Sequence, residues 1–255
     1  MRVGQKSVCL ENWRVTELGP AQVLGEANLI TLTNHETPAG IYSDAQISDY
    51  TGPNFKWRPP LRMTVTAQTS GERLCGTAGF GFWNQPFMPG QVRLRLPQAI
   101  WFFYSSAPSE MRLAHGVPGS GWKAATINAS RWQFLSLLPA APVGVLLMRI
   151  PALYQRLWPI GQQAIGVSER LLDSTLLAKT HTYTLDWRED GATFAIDGDV
   201  VHESPYAPTG PLGFVAWVDN QYAVVTPQGQ FRFGLLPVEQ PQTLIISEVK
   251  IEPYG

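Results

Sequence analysis

Along residues 61–68, Leu61, Met63 and Val65 alternate with Arg62, Thr64 and Thr66. A period of two is that of a strand with one face in a core and the other in water. Residues 27–34 (ANLITLTN) form a second, β-branched run. Residues 76–84 (GTAGFGFWN) and 98–106 (QAIWFFYSS) are denser in apolar side chains, as expected of strands covered on both faces. In 181–204, Tyr183, Leu185 and Trp187 alternate with Thr182, Thr184 and Asp186, and Asp190-Gly191 and Asp197-Gly198 supply two hairpin turns. Residues 242–255 read as a final strand. The run 215–222 (VAWVDNQY) carries three adjacent polar side chains. Period two divides it. Phe214, Ala216 and Val218 face a core, with Asn220 and Tyr222 on their side, while Trp217, Asp219 and Gln221 face the other way.

From about 143 to 177 the period changes. Leu146, Leu147, Ile150, Leu153, Tyr154, Leu157 and Trp158 recur at helical spacing. Pro151 is placed to begin a helix and Pro159 to end one. A second short helix is expected over 168–177, with Ser168 as its N-cap. The pattern predicts one all-β sandwich domain over residues 1–255, interrupted by a helical insertion at about 143–177.

Charged residues make up 15% of the chain and the net charge is −1. Such a chain has no basic field to attract nucleic acid or an anionic membrane. Two cysteines, Cys9 and Cys75, are too few for a disulfide scaffold or a cysteine zinc site. The stretch 134–153 is long enough to span a bilayer, but three prolines and Arg149 argue against a transmembrane helix. Residues 1–13 hold no apolar signal core, so the expected location is cytoplasmic. The four histidines are scattered, and Asp44, Gln46 and Asp49 lack calcium-loop spacing. No metal and no cofactor are expected. Serine-hydrolase, phosphate-loop and dinucleotide signatures are absent.

The hairpin Y-x-L-x-W, turn, F-x-I-D-G (183–198), with residues 96–116 (LPQAIWFFYSSAPSEMRLAHG), resembles the concanavalin A-like lectin/glucanase superfamily, glycoside hydrolase family 16 in particular. The resemblance implies a jelly roll of two curved antiparallel sheets with the ligand on the concave face. Aligned on the family's catalytic strand, Glu110 falls at the first acid, Arg112 stands where the family has Asp, and Ala114 falls near the second Glu. Retaining glycosidases need two carboxyl groups about 5–5.5 Å apart. The resemblance therefore implies a ligand-binding protein that is not hydrolytic by the family mechanism.

A sugar site combines aromatic rings for the apolar sugar face with amides and carboxylates for the hydroxyls. Trp83, Gln85, Trp101, Arg112, Trp217 and Gln221 are the candidate binding residues, and Glu110 and Asp219 the candidate catalytic carboxyls. Gly79 and Gly81 would leave room for a close approach. The expected ligand is a carbohydrate or a similar small molecule. One alternative is an isomerase, cyclase or lyase acting on a small apolar molecule in an aromatic pocket roofed by the insertion. Another is a glycoside hydrolase with a rearranged acid pair. The insertion is also a candidate homodimer interface.

Overall fold

The computed structural model describes residues 9–26, 28–52, 54–85 and 95–254. They form two seven-stranded antiparallel sheets. The first runs in the order β1 (Arg14–Leu18), β4 (Asp44–Ser48), β13 (Gly213–Asp219), β6 (Thr77–Trp83), β7 (Gln98–Ser105), β8 (Gly121–Asn128), β9 (Ser168–Leu171). The second runs β12 (Asp199–Ser204), β11 (Ala192–Ile196), β10 (His181–Trp187), β5 (Leu61–Thr69), β16 (Gln242–Pro253), β3 (Leu29–Asn34), β2 (Ala21–Glu26). A separate hairpin, β14 (Gln221–Val225) with β15 (Phe231–Leu235), continues from the end of β13.

The core lies between the sheets and follows the alternation. Phe214, Ala216 and Val218 of β13 and Phe80 and Phe82 of β6 face Tyr183, Leu185 and Trp187 of β10, all of them buried. Phe80 meets Tyr183 at 5.1 Å, and Phe102 meets Phe194 edge-on at 5.3 Å. Burying a side chain of this size stabilises by about 1.5–3 kcal/mol, so these rings bind the two sheets together. The Asp197-Gly198 turn forms as expected, with both residues in the left-handed region (φ 52° and 92°). The Asp197 carboxylate accepts from the Thr182 amide at 2.8 Å and fixes the register.

The helical segment differs from its sequence reading in three ways. It starts earlier, with α1 (Trp132–Leu137), α2 (Ala141–Leu147) and α3 (Pro151–Ile165). Pro151 does open α3, but Pro159 lies inside it. That proline removes one backbone bond, yet Trp158 and Ala164 are both buried and hold the two halves to the body. The helix ends instead at Gly166, whose φ of 67° gives a left-handed cap. Residues 168–177 are not a helix. Ser168–Leu171 pair with the free edge of β8, where Thr126 faces Ser168, and a 3-10 turn capped by Asp173 follows. The open sheet edge outweighs the weak helical preference of so short a segment.

Candidate functional site

The outer face of the first sheet gathers the aromatic residues singled out in the sequence. Cross-strand register places Trp217 beside Gly79 and Gly79 beside Phe103. The next row holds Val215, Gly81 and Trp101. Because Gly79 and Gly81 carry no side chains, the rings on β13 and β7 lean across β6 and meet. Trp101 and Trp217 are 5.4 Å apart, Phe103 and Trp217 5.9 Å, and Trp101 stacks on Phe103 at 5.3 Å. A Cβ on Gly79 would lie 3.1 Å from the Trp217 ring and one on Gly81 2.6 Å from Trp101 Cβ. The space expected for a ligand at these glycines is filled by the protein's own indoles.

Trp83 extends this floor. It lies 6.0 Å from Trp101 and donates its Nε1–H to the Tyr50 hydroxyl at 2.6 Å. Tyr50 and Trp217 are buried, while Trp83, Trp101 and Phe103 keep part of their surface in solvent. Gln85, half-buried, follows two residues after Trp83 in left-handed backbone (φ 45°).

A polar row borders the rings. Asp44 on β4 faces Asp219 on β13, Asp219 faces Thr77 on β6, and Thr77 faces Ser105 on β7. Asp219 Oδ1 accepts from the Thr77 hydroxyl (2.8 Å), the Thr77 amide (3.1 Å) and the Gln221 amide (3.0 Å). Thr77 Oγ1 in turn accepts the Trp217 Nε1–H at 2.9 Å. The buried carboxyl and the aromatic floor thus form one hydrogen-bonded unit. Burial pushes the Asp219 carboxyl up to about 7 despite its three donors. Burial and the Asp219 charge raise Asp44 well above the carboxylate range. Tyr42 bonds to Asp44 and Gln221, and burial, with the two carboxyls, raises its hydroxyl too. Like charges so close in a dry site disfavour joint ionisation, so the pair retains a proton where free carboxyls have lost theirs. Asp44 Oδ1 and Ser105 Oγ have no hydrogen-bond partner among the described residues.

Asn220 has a different role. Fully buried between β13 and β14, it accepts from the Ser43 amide and donates to the Ile41 and Leu236 carbonyls at 2.8–3.0 Å. It locks the strand that carries Asp44 to the hairpin that follows Asp219.

On the β9 side the floor is fenced. Lys123, in register with Phe103, forms a buried ion pair with Glu169 at 3.5 Å. Burial raises the Glu169 carboxyl above its usual range, against the opposing pull of Lys123. The segment 110–115 covers this pair. Lys123 Nζ reaches the Met111 carbonyl at 3.4 Å, and Glu169 Oε2 accepts from the Ala114 amide at 3.1 Å. Helix α3 docks behind, with Trp158 Nε1 donating to the Leu113 carbonyl at 3.0 Å.

Glu110 and Arg112 therefore lie on this covering segment and not on a sheet strand. The β7 strand ends at Ser105, and Glu110 makes only an isolated bridge to Val224. The two side chains form a two-point ion pair at 2.7 and 3.1 Å, with Arg112 well exposed. The floor brings together Trp83, Trp101 and Trp217, and Asp219 and Gln221 border it. Glu110 and Arg112 pair with each other. Among the described residues the insertion contributes no hydrophobic side chain to the aromatic cluster. Asp44, Thr77, Tyr42, Lys123 and Glu169 were not foreseen as site residues. For Asp44 the signal was present in the Asp44, Gln46, Ser48 alternation, but its partner strand was not.

No group of three or more His, Cys, Asp or Glu side chains converges to hold a metal among the described residues. Its polar row offers two carboxyls, hydroxyl groups and the Gln221 amide.

Solved structures with the same two-sheet architecture decide the fold. The fold is concanavalin A-like. One such structure comes from work on endo-acting O-glycanases that human gut microbiota express to initiate mucin breakdown; it is 11% identical, at TM-score 0.54, over 99% of this chain and 95% of that one. The Crh5 transglycosylase in complex with NAG is 14% identical at TM-score 0.53, over 99% of this chain and 83% of that one. A legume lectin-like domain from Entamoeba histolytica is 8% identical at 0.52, over 96% and 92%. No family model matches the concanavalin A-like chain, and no curated protein matches its sequence.

Proposed function

We propose that the outer face of the first sheet binds a carbohydrate, with Trp83, Trp101 and Phe103 as the stacking floor and the row from Tyr42 to Ser105 holding hydroxyls. The observation that carries this reading is the contiguity of a partly exposed aromatic floor with a buried acid row through the Trp217–Thr77–Asp219 chain of hydrogen bonds. Sugar rings offer an apolar C–H face and a polar rim, and the two halves of the site match them. The glycan-related names of the structural neighbours agree with it. Glu110 has no role as a proton donor in this reading, since it faces Arg112.

A glycan array followed by titration of the strongest ligand, monitored by tryptophan fluorescence, tests it. Trp101→Ala should weaken binding roughly tenfold or more, since a stacked indole contributes on the order of 1.5–3 kcal/mol. Absence of any glycan ligand, or unchanged affinity in the variant, would overturn it.

A second reading rests on the Asp44–Asp219 pair. Two carboxyls sharing a proton near neutrality are an acid–base couple, and Asp219, with Asp44 beside it, is the group such chemistry would use on the same bound ligand.

A further inference from the structure

The helical insertion carries an apolar pattern that does not face a core. Val143, Leu146 and Leu147 follow the i, i+3, i+4 spacing of one face of α2, with Ile150 just beyond its end, yet Val143 is 62% exposed and Leu146 61%. No residue of α1 or α2 is buried. The turn of the β14–β15 hairpin lies against α2, since a Cβ on Gly229 would come within 2.6 Å of Val145. That turn leads into Phe231, which is 65% exposed. Exposed apolar side chains thus lie on two neighbouring elements. A patch of this kind on an otherwise well-packed chain marks an interaction site.

Charge identifies what it meets. From Met111 to Ser168 the sequence contains no Asp or Glu; Arg112 and Lys123 are paired with Glu110 and Glu169, which leaves Arg131, Arg149 and Arg156. Arg149 borders a shallow basin with residues 228–230 of the hairpin turn. Neither Arg149 nor Arg156 forms an ion pair among the described residues, and both are exposed. A symmetric second copy would bring this cationic surface against itself without an acid to offset it. An apolar surface with an unneutralised basic rim instead complements the acyl boundary and headgroups of an anionic bilayer.

We propose that the α2 face and the β14–β15 turn dock the protein on an anionic membrane surface, with Val143, Leu146, Leu147, Ile150 and Phe231 entering the interface and Arg149 meeting the headgroups. The proposal is independent of the carbohydrate reading. It concerns surface association alone, since no helix among the described residues is long and apolar enough to cross a membrane.

The full chain is mixed with phosphatidylcholine vesicles with or without phosphatidylglycerol, and vesicle-bound protein is measured by co-sedimentation. Binding should favour the anionic vesicles and weaken as salt is raised. Leu146→Glu and Arg149→Glu should each lower binding roughly tenfold or more. Both positions are exposed, so unchanged circular dichroism and melting would confirm an intact fold. Equal binding to both vesicle types, no binding, or variants that bind like the parent would overturn the proposal. So would a concentration-dependent dimer, seen by analytical ultracentrifugation, that Leu146→Glu dissociates, because the surface would then belong to a second copy.

Discussion

At the scale of single residues, Asp219 has the most chemical consequence. Its carboxyl accepts three hydrogen bonds and yet is pushed up to about 7, because burial opposes its charge more strongly than the donors favour it. A carboxyl raised in the folded state binds a proton there that the unfolded chain has released. Between the unfolded value of 3.8 and about 7, the folded state therefore holds more protons, and stability falls as pH rises. Asp44 shifts in the same direction and adds to the slope. Asp219→Asn retains an oxygen for the Thr77 and Gln221 donors but cannot ionise. It should flatten the fall in stability across pH 4–7 in urea titrations, and it should also lower Asp44, which loses a charged neighbour. Asp219→Ala should instead cost about 1–3 kcal/mol at any pH, because buried donors are left without an acceptor. An Asn variant with the parent's slope would remove Asp219 as its source.

At the scale of elements, most strands were legible in the sequence because they follow period two. β5, β10 and β16 lie close to where alternation placed them, and within β13 Phe214, Ala216 and Val218 join the core while Val215 and Trp217 join the outer cluster; the alternation does not extend to Asn220 and Tyr222, where the chain leaves the sheet for the hairpin. Trp83, Trp101 and Trp217 could be expected to share a face. What alternation cannot provide is the neighbour across the strand. That Asp44 would face Asp219, or Lys123 lie beside Phe103, depends on a strand order joining residues far apart in the chain. The same limit misplaced Glu110, since a resemblance that continues the strand past Ser105 misses the turn away from the sheet. The Lys123–Glu169 pair joining β8 to β9 yields a prediction at this scale. Removing one partner of a buried ion pair strands the other charge, at a cost of about 3–5 kcal/mol. Lys123→Met should destabilise by that amount at neutral pH and by less in acid, where Glu169 protonates. Adding Glu169→Gln should recover most of the loss, because the amide still accepts from Ala114. Urea denaturation of both variants tests this, and a double variant no more stable than Lys123→Met alone would refute it.

At the scale of the molecule, the two sheets and the insertion differ in what holds them. The sheets share one continuous core, in which Phe102 contacts Phe80, Trp122, Tyr183 and Phe194. The insertion has no core of its own. Within α1–α3 the buried side chains are Trp158 and Ala164 of α3, and the Trp158 indole docks onto the sandwich through the Leu113 carbonyl. Isolated helices of six, seven and fifteen residues are marginal in water, so these depend on the sheets beneath them. The loss of the core should therefore release the helices, whereas local loosening of the helices need not release the core. Phe102→Ala should lower stability by about 3–5 kcal/mol, and the tryptophan fluorescence and helical circular dichroism midpoints should both fall to lower denaturant. Trp158→Ala should lower the helical midpoint and move the sandwich less. A helical signal that outlasts the core fluorescence in either variant would show that the insertion is a separately folding unit, and the single-domain organisation proposed for this chain would fail.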